Sequence, residues 1–229
     1  MENSKIIIKD GKKVPAITSS LRNHMIRLPL VIREATGIII NGKRIKSLLF
    51  STDVAIIKNT NADAIIAVYP FTPQPIITES IIMAADVPVF CGVGGGITQG
   101  RRVLNLALDG EFKGAAGVVV NAPTSNEIIK KLYESIDIPV IVTIASEKDD
   151  FAERINSGAT ILNVSGGKST PSIVSRIREE FPDFPIIATG GPTEETIKET
   201  ILSGANAITY TPPTAGEIFS KIMLKYRGE

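Results

Sequence analysis

The stretch Ile161–Thr170, ILNVSGGKST, contains the residue types of a nucleotide-phosphate loop: glycines for close backbone approach, a lysine for charge, and hydroxyls beside it. Its spacing excludes that chemistry. A P-loop needs a glycine five residues before the one that precedes its lysine, and counting back from Gly167 lands on Leu162, inside an apolar run. The segment reads instead as a strand that ends in a glycine turn, which leaves Lys168 as a cation at a strand end.

Other reactive types are few. VFCGVGGGITQGRR places four glycines within five residues but lacks the third glycine of a dinucleotide fingerprint, since Ile97 stands in its place. Such a run implies backbone brought close to something, either a ligand or the neighbouring NAPTSNE loop. Arg101, just beyond, is within reach of an anion. Cys91 has no base near it in sequence, and the one histidine, His24, is far upstream, so the cysteine reads as packing. Glu147, with Asp149 and Asp150 beyond it, is the carboxylate best placed at a strand end, either as a general base or as a helix cap. With one Cys, one His and no second carboxylate on a neighbouring strand, no bound metal and no cofactor are expected.

The elements that must position these groups follow from a repeat. DVPVF from Asp86, DIPVI from Asp137 and DFPII from Asp183 share Asp-x-Pro followed by an apolar run. Proline is tolerated at a strand's first residue. Interleaved with them are NADAIIAVYP, KGAAGVVVNAP, SGATILNVSGG and SGANAITYTPP, in most of which a Gly-Ala pair ends a helix before the strand begins. Each family recurs at roughly 43–53 residues, two strand–helix units. Stepping back once from Asp86 reaches GIIING. The predicted strands are therefore Gly37–Asn41, Ala64–Tyr69, Pro88–Cys91, Ala116–Asn121, Pro139–Ile144, Thr160–Val164, Pro185–Thr189 and Ala207–Tyr210.

Continuous apolar strands mean that both sheet faces are covered, and eight such strands with helices between them make an α/β protein, a single (β/α)8 barrel; a doubly wound sheet is the competitor. Residues 37–229 form the barrel in this reading. Residues 1–36 form an extension over its bottom, with KIIIKDGKKV as a small hairpin, VPAITSS from Val14 strand-like, and a helix from Leu21. The 229 residues, 43% hydrophobic and 5% aromatic, are enough for that core. A net charge of +1 gives no field for nucleic acid or an anionic membrane, and no apolar run approaches about 18 residues, so a cytoplasmic protein is expected.

Barrel chemistry belongs at the strands' C-terminal ends. There the expected substrate-binding residues are Asn41, Tyr69, Asn121, Thr143, Asn163 and Ser165. IIATGGPTEETI, in which a strand runs into Gly190 and Gly191 before a helix capped by Thr193, resembles the seventh-strand loop of phosphate-binding barrels such as thiamine-phosphate synthase, the keto-deoxy-phosphogluconate aldolases and N-acetylmannosamine-6-phosphate epimerase. The resemblance covers about the last third of the chain and implies a phosphate held by Gly166, Gly167, Gly190, Gly191, Thr211 and Thr214. Pro212 and Pro213 depart from it, because they replace backbone donors of the eighth-strand loop.

The chain as a whole is similar to a bacterial barrel family whose members carry the bare label hydrolase. The resemblances imply a metal-independent hydrolase, lyase or isomerase of a sugar-phosphate-like molecule, with Glu147 and Lys168 as the catalytic pair. The alternative is a ligand-sensing regulatory barrel like the glycerol-uptake antiterminators. Expected partners are a small phosphorylated molecule and, as an open alternative, a second copy of the chain; nucleic acid and membrane are not expected.

Overall fold

The computed structural model describes residues 4–9, 11–17 and 25–228. Eight parallel strands close into a barrel in chain order: β5 (Ser47–Phe50), β6 (Ala64–Ala67), β7 (Val89–Gly94), β8 (Gly117–Val120), β9 (Val140–Ile144), β10 (Ile161–Val164), β11 (Ile186–Thr189) and β12 (Ala207–Tyr210), with β12 pairing back onto β5. The helices outside them are α1 (Val54–Lys58), α2 (Pro75–Ala84), α3 (Arg101–Phe112), α4 (Asn126–Ser135), α5 (Phe151–Asn156), α6 (Thr170–Glu180), α7 (Glu194–Leu202) and α8 (Ala215–Arg227). The fold is the TIM barrel expected from the repeat. None of its described helices is long and apolar enough to cross a membrane.

Alternation along each strand creates two cores. Leu48, Ile66, Phe90, Val119, Ile141 and Ile187 fill the interior. Their neighbours, such as Leu49, Ile65, Val118 and Val142, pack under the helices. The proline repeat has a structural role. The carbonyls of Pro88, Pro139 and Pro185 accept the amides of Ile65, Val118 and Leu162 at 2.9, 2.9 and 3.1 Å, so each odd strand is tied to the preceding one at its base without needing a proline donor.

In the first quarter Lys46 takes the proline's place, and its carbonyl accepts the amide of Ile208 at 2.9 Å. This corrects the expected first strand. Gly37–Asn41 is not in the barrel: β3 (Ile38–Ile40) pairs antiparallel with β4 (Lys43–Ile45). The turn between them has Asn41 and Gly42 at φ 48 and 78, the left-handed pair of a two-residue Asn-Gly hairpin turn. The hairpin plugs the barrel's bottom with buried Ile45 and half-buried Ile38 and Ile40. The extrapolation overshot because α1 has only five residues, which makes the first unit the shortest.

Upstream, β1 (Ser4–Lys9) and β2 (Lys12–Ile17) form an antiparallel hairpin, so VPAITSS is not a barrel strand. The helix expected from Leu21 is absent from its described part. Met25–Pro29 is non-helical, and only Leu30–Glu34 coils, as a 3-10 turn, because Pro29 biases the chain before it away from helix. His24 lies outside the described residues. Leu28 and Ile32 are buried there, and the Leu28 amide donates to Asn61 Oδ1 at 2.9 Å. A clasp closes the base: Gly37 N–H donates to the Asn206 carbonyl at 2.7 Å, Asn206 Nδ2 to Thr36 Oγ1 at 2.9 Å, and Arg178 to Asn206 Oδ1 at 3.0 Å.

Cys91 faces the helix layer, against Gly110, where an added Cβ would lie 2.9 Å from its sulfur. Burial pushes its thiol up to about 12, helped by the charge of Asp109. The unfolded chain releases this proton near the ordinary thiol range, so the native state binds more protons above that range. Stability is therefore expected to fall as pH rises from about 9 toward 12. Folded protein at pH 8 is expected to resist alkylation until denatured, as followed by mass spectrometry. Prompt labelling of native protein would contradict this burial.

Candidate active site

A cavity of about 600 Å³ opens at the C-terminal end of the strands, in the mouth of the barrel. Inward positions of β5, β6 and β8 give it an apolar wall of Phe50, Ile66, Val68 and Val119. Inward positions at the ends of β8, β9 and β10 give it a polar wall of Asn121, Thr143, Asn163 and Ser165. The division follows from sequence, since hydroxyl and amide residues fall on the inward parity only in the later strands.

Asn163 is 8% exposed, and its Nδ2 donates to Thr143 Oγ1 at 3.2 Å, while its Oδ1 has no partner. Turning the amide over exchanges which end Thr143 satisfies and still leaves the other end free. Thr209 Oγ1, on the inward side of β12, is likewise buried and unpartnered. Only one other buried side-chain oxygen among the described residues shares this state, Thr124 Oγ1. Buried polar atoms are normally hydrogen-bonded, so two orphans at the mouth mark a place for a ligand's polar groups or for water. Tyr69 accepts the Gln74 amide at 2.8 Å through its hydroxyl oxygen, which leaves its proton for the cavity. Asp53, the other ionisable lining residue, caps α1 by accepting the amides of Ala55 and Ile56 at 2.8 and 3.2 Å.

A second cleft, about 570 Å³, lies between the β11 and β12 loops and includes Thr189, Gly191, Thr209, Glu217 and Lys221. It adjoins the first through Thr211, Pro212 and Pro213, which line both. Several expected phosphate donors are already engaged here. The Gly166 amide donates to Thr170 Oγ1 at 3.1 Å, and Gly167 opens a 3-10 turn leading to α6. Gly190 packs on Ile197 and Ile208, and its amide reaches the Thr209 carbonyl at 3.4 Å. The Thr214 amide donates to Glu217 Oε2 at 2.7 Å, and that bond, with the Thr214 hydroxyl, holds the Glu217 carboxyl below the usual carboxylate range. Gly191 has φ 77, and a Cβ there would meet Thr196 Oγ1 at 2.6 Å, so substituting it disturbs the backbone as well as any ligand.

The structure thus brings Tyr69, Asn121, Thr143, Asn163, Ser165, Thr211 and Thr214 to one cavity, and Gly191 to the adjoining cleft. Gly166, Gly167, Gly190, Glu147 and Lys168 line neither. Glu147 turns toward α6, where its Oε1 accepts Ser172 Oγ at 2.6 Å and its carbonyl accepts Arg176 at 2.7 Å. Asn41 is the clear correction: it tips the bottom hairpin, at the opposite end of the barrel.

Three of the residues that shape these openings had no place in the sequence reading. Phe50 and Asp53 belong to the misplaced first strand and the turn after it. Lys221, on α8 two turns beyond Thr214, replaces Lys168 as the cleft's cation; helical spacing from the cap was its only signal. The glycine run is also explained: a Cβ on Gly95 would meet Asn121 Cβ at 2.5 Å, so the close approach is to the neighbouring loop. Among the described residues no three His, Cys, Asp or Glu are grouped as metal ligands.

No family model matches the chain, and no curated protein matches its sequence. Its structure is similar to that of 2,3-dimethylmalate lyase, a PEP mutase/isocitrate lyase superfamily member, with a TM-score of 0.60 and 14% identity over 92% of this chain and 88% of that one. It is similar as well to phosphoenolpyruvate phosphomutase from Streptomyces platensis subsp. rosaceus, with a TM-score of 0.60 and 14% identity over 86% and 83%. A third likeness is to thiamine phosphate pyrophosphorylase from Pyrococcus furiosus, with a TM-score of 0.56 and 16% identity over 72% and 84%. Likeness at this level of identity extends to the barrel and no further.

Proposed function

We propose that the protein is an enzyme of the lyase or isomerase kind whose mouth binds a small phosphorylated metabolite with one apolar face. The observation that carries this reading is the pair of buried, unpartnered oxygens, Asn163 Oδ1 in the cavity with the apolar wall and Thr209 Oγ1 in the adjoining cleft. Hydroxyl or carbonyl groups of the ligand meet Asn163, Asn121 and the Tyr69 proton, and its carbon skeleton lies on Phe50 and Val68. The phosphate reaches the adjoining cleft, where Thr189 and Thr211 offer hydroxyls and Lys221 offers charge. Asp53, the one carboxylate lining the larger cavity, is held as a helix cap, which favours chemistry without a metal. Hydrolysis through a side-chain nucleophile has less support, because the Thr189–Ser165 hydroxyl pair, 3.3 Å apart, has no base beside it. That lyases and mutases share this fold supports the reaction class by analogy.

The test is calorimetric titration of phosphorylated metabolites and their dephosphorylated counterparts, followed by turnover assays. Lys221 is exposed, so Lys221→Ala is expected to weaken only the phosphorylated ligands, by about tenfold. Equal affinity for both forms in the wild-type protein would remove the phosphate from the proposal. A regulatory, non-catalytic reading is favoured by one feature: Asp53 is committed to a cap, leaving Tyr69 alone as an ionisable group with a proton to offer. Tight binding without turnover of any ligand would select it.

A further inference from the structure

The third unpartnered oxygen lies away from the mouth. Thr124 is 4% exposed, and its Oγ1 meets no hydrogen-bonding partner. Thr124 lines a cavity of about 610 Å³ that shares no lining residue with either opening at the mouth. This cavity is set between the first turns of α3 and α4, neighbouring helices that follow β7 and β8. Thr98, the other buried hydroxyl in its lining, is satisfied, because it donates to Thr72 Oγ1 at 3.1 Å. Thr124 alone is left with a hydroxyl that calls for a ligand's polar atom or for water.

Both helix starts bordering the cavity keep free donors. α3 begins at Gly100, which has no side chain to cap it, and Ser125 stands at the N-cap of α4 while its hydroxyl caps nothing. The Val103 amide turns back to the Gly100 carbonyl at 3.1 Å, and those of Ile128 and Ile129 to the Ser125 carbonyl at 3.0 and 3.1 Å. The amides of Arg101, Arg102, Asn126 and Glu127 are left without an acceptor, at the positive ends of two helix dipoles. Arg101 lines the same cavity and forms no ion pair. Lys131 and Glu127 also line it, but they pair with each other at 2.5 Å, a bond that holds the Glu127 carboxyl below the usual carboxylate range. The charge left over in the lining is therefore the guanidinium of Arg101. The loop before α4 is set in place by Arg154, which donates to the carbonyls of Ala122 and Thr124 and to Asn126 Oδ1 at 2.6 Å.

We propose that this cavity is a ligand site separate from the mouth, and that it takes a small phosphate ester. The phosphate oxygens accept from the free amides of the two helix starts, from the hydroxyls of Thr124 and Ser125, and from Arg101. The organic part of the ester rests on Val103, Leu104 and Ile128, which also line the cavity. Donors that converge from two helices suit a tetrahedral group with three terminal oxygens better than a planar carboxylate with two. The site stands or falls independently of the reading of the mouth. Backbone alone links the two, since the Thr124 amide donates at 3.0 Å to the carbonyl of Asn121, a residue of the larger mouth cavity.

The experiment is a titration of the isotopically labelled chain with inorganic phosphate, butyl phosphate and acetate, followed through the NMR shifts of individual amides. Both phosphates are expected to shift Arg101, Arg102, Asn126 and Glu127, with butyl phosphate binding about tenfold tighter through its buried alkyl chain. At these amides Arg101→Gln is expected to weaken butyl phosphate about tenfold, and Thr124→Val about fivefold. Thr124→Val removes an unpaired hydroxyl at similar size, so its thermal melting temperature should not fall. Phosphate at the mouth is read on other amides, those of Gly191 and Thr211, so the two readings fail separately. Shifts confined to the mouth overturn the proposal. So do undiminished affinities in both variants, or equal affinities for acetate and inorganic phosphate.

Discussion

Gly95→Ala is expected to lower the free energy of unfolding by about 3 kcal/mol or more. Gly95 has φ 100, where an L residue is strained, and a Cβ there would lie 2.5 Å from Asn121 Cβ and 2.9 Å from its backbone nitrogen. The loop cannot retreat cheaply, because the Asn121 amide donates to the Gly94 carbonyl at 3.0 Å and the Gly95 amide to the Thr98 carbonyl at 3.0 Å. Gly96→Ala is the internal control: its φ of 67 is also left-handed, but nothing lies within 4 Å. It should cost only about 1 kcal/mol, from the backbone alone. Urea denaturation of the two variants separates close approach from conformational preference. Equal losses would mean that Asn121 yields, and the packing account of the glycine run would fail.

The second large effect is a loss of binding without a loss of stability. Replacing Asn163 by Leu together with Thr143 by Val removes both partners of one hydrogen bond and the orphaned amide oxygen while keeping the branching of both side chains. Removing both partners is close to neutral or favourable, so stability should stay level or rise by about 1 kcal/mol. Affinity for the best ligand of the calorimetric panel should fall about a hundredfold, as two or more polar contacts vanish. A fall in stability with unchanged affinity would show that the polar wall serves the core and not a ligand.

The barrel was legible because the Asp-x-Pro repeat is a hydrogen-bonding device: three proline carbonyls make equivalent bonds at the strand bases. Its first copy escaped notice because Arg44-Ile45-Lys46 carries neither the aspartate nor the proline. The Asn-Gly pair at 41–42, a strong hairpin signal flanked by apolar and basic residues, was absorbed into a supposed strand. That single slip moved Asn41 to the wrong end of the barrel and hid Phe50.

The amides and hydroxyls of the polar wall were readable from strand parity alone. The phosphate donors were not, because glycine and threonine at a helix start can serve the protein's own caps. Thr170 and Glu217 do so here, and spacing cannot distinguish that use from ligand binding. Lys221 was out of reach for a different reason: its place in the cleft depends on how α8 leaves the barrel after two prolines.

The base clasp also bears on the time course of folding during synthesis. Thr36 and Asn206 are 170 residues apart, and β5 pairs with β12 only after nearly the whole chain has emerged. At about 5–20 residues per second, the first barrel strand waits roughly 8–32 s for its final neighbour. Throughout that interval it is an open sheet edge, the kind of surface on which nascent chains stick to one another. Two features shorten the hazard. The strand is only four residues long, and Lys43, Arg44 and Lys46 stand immediately before it, like charges that repel the same edge on a neighbouring chain.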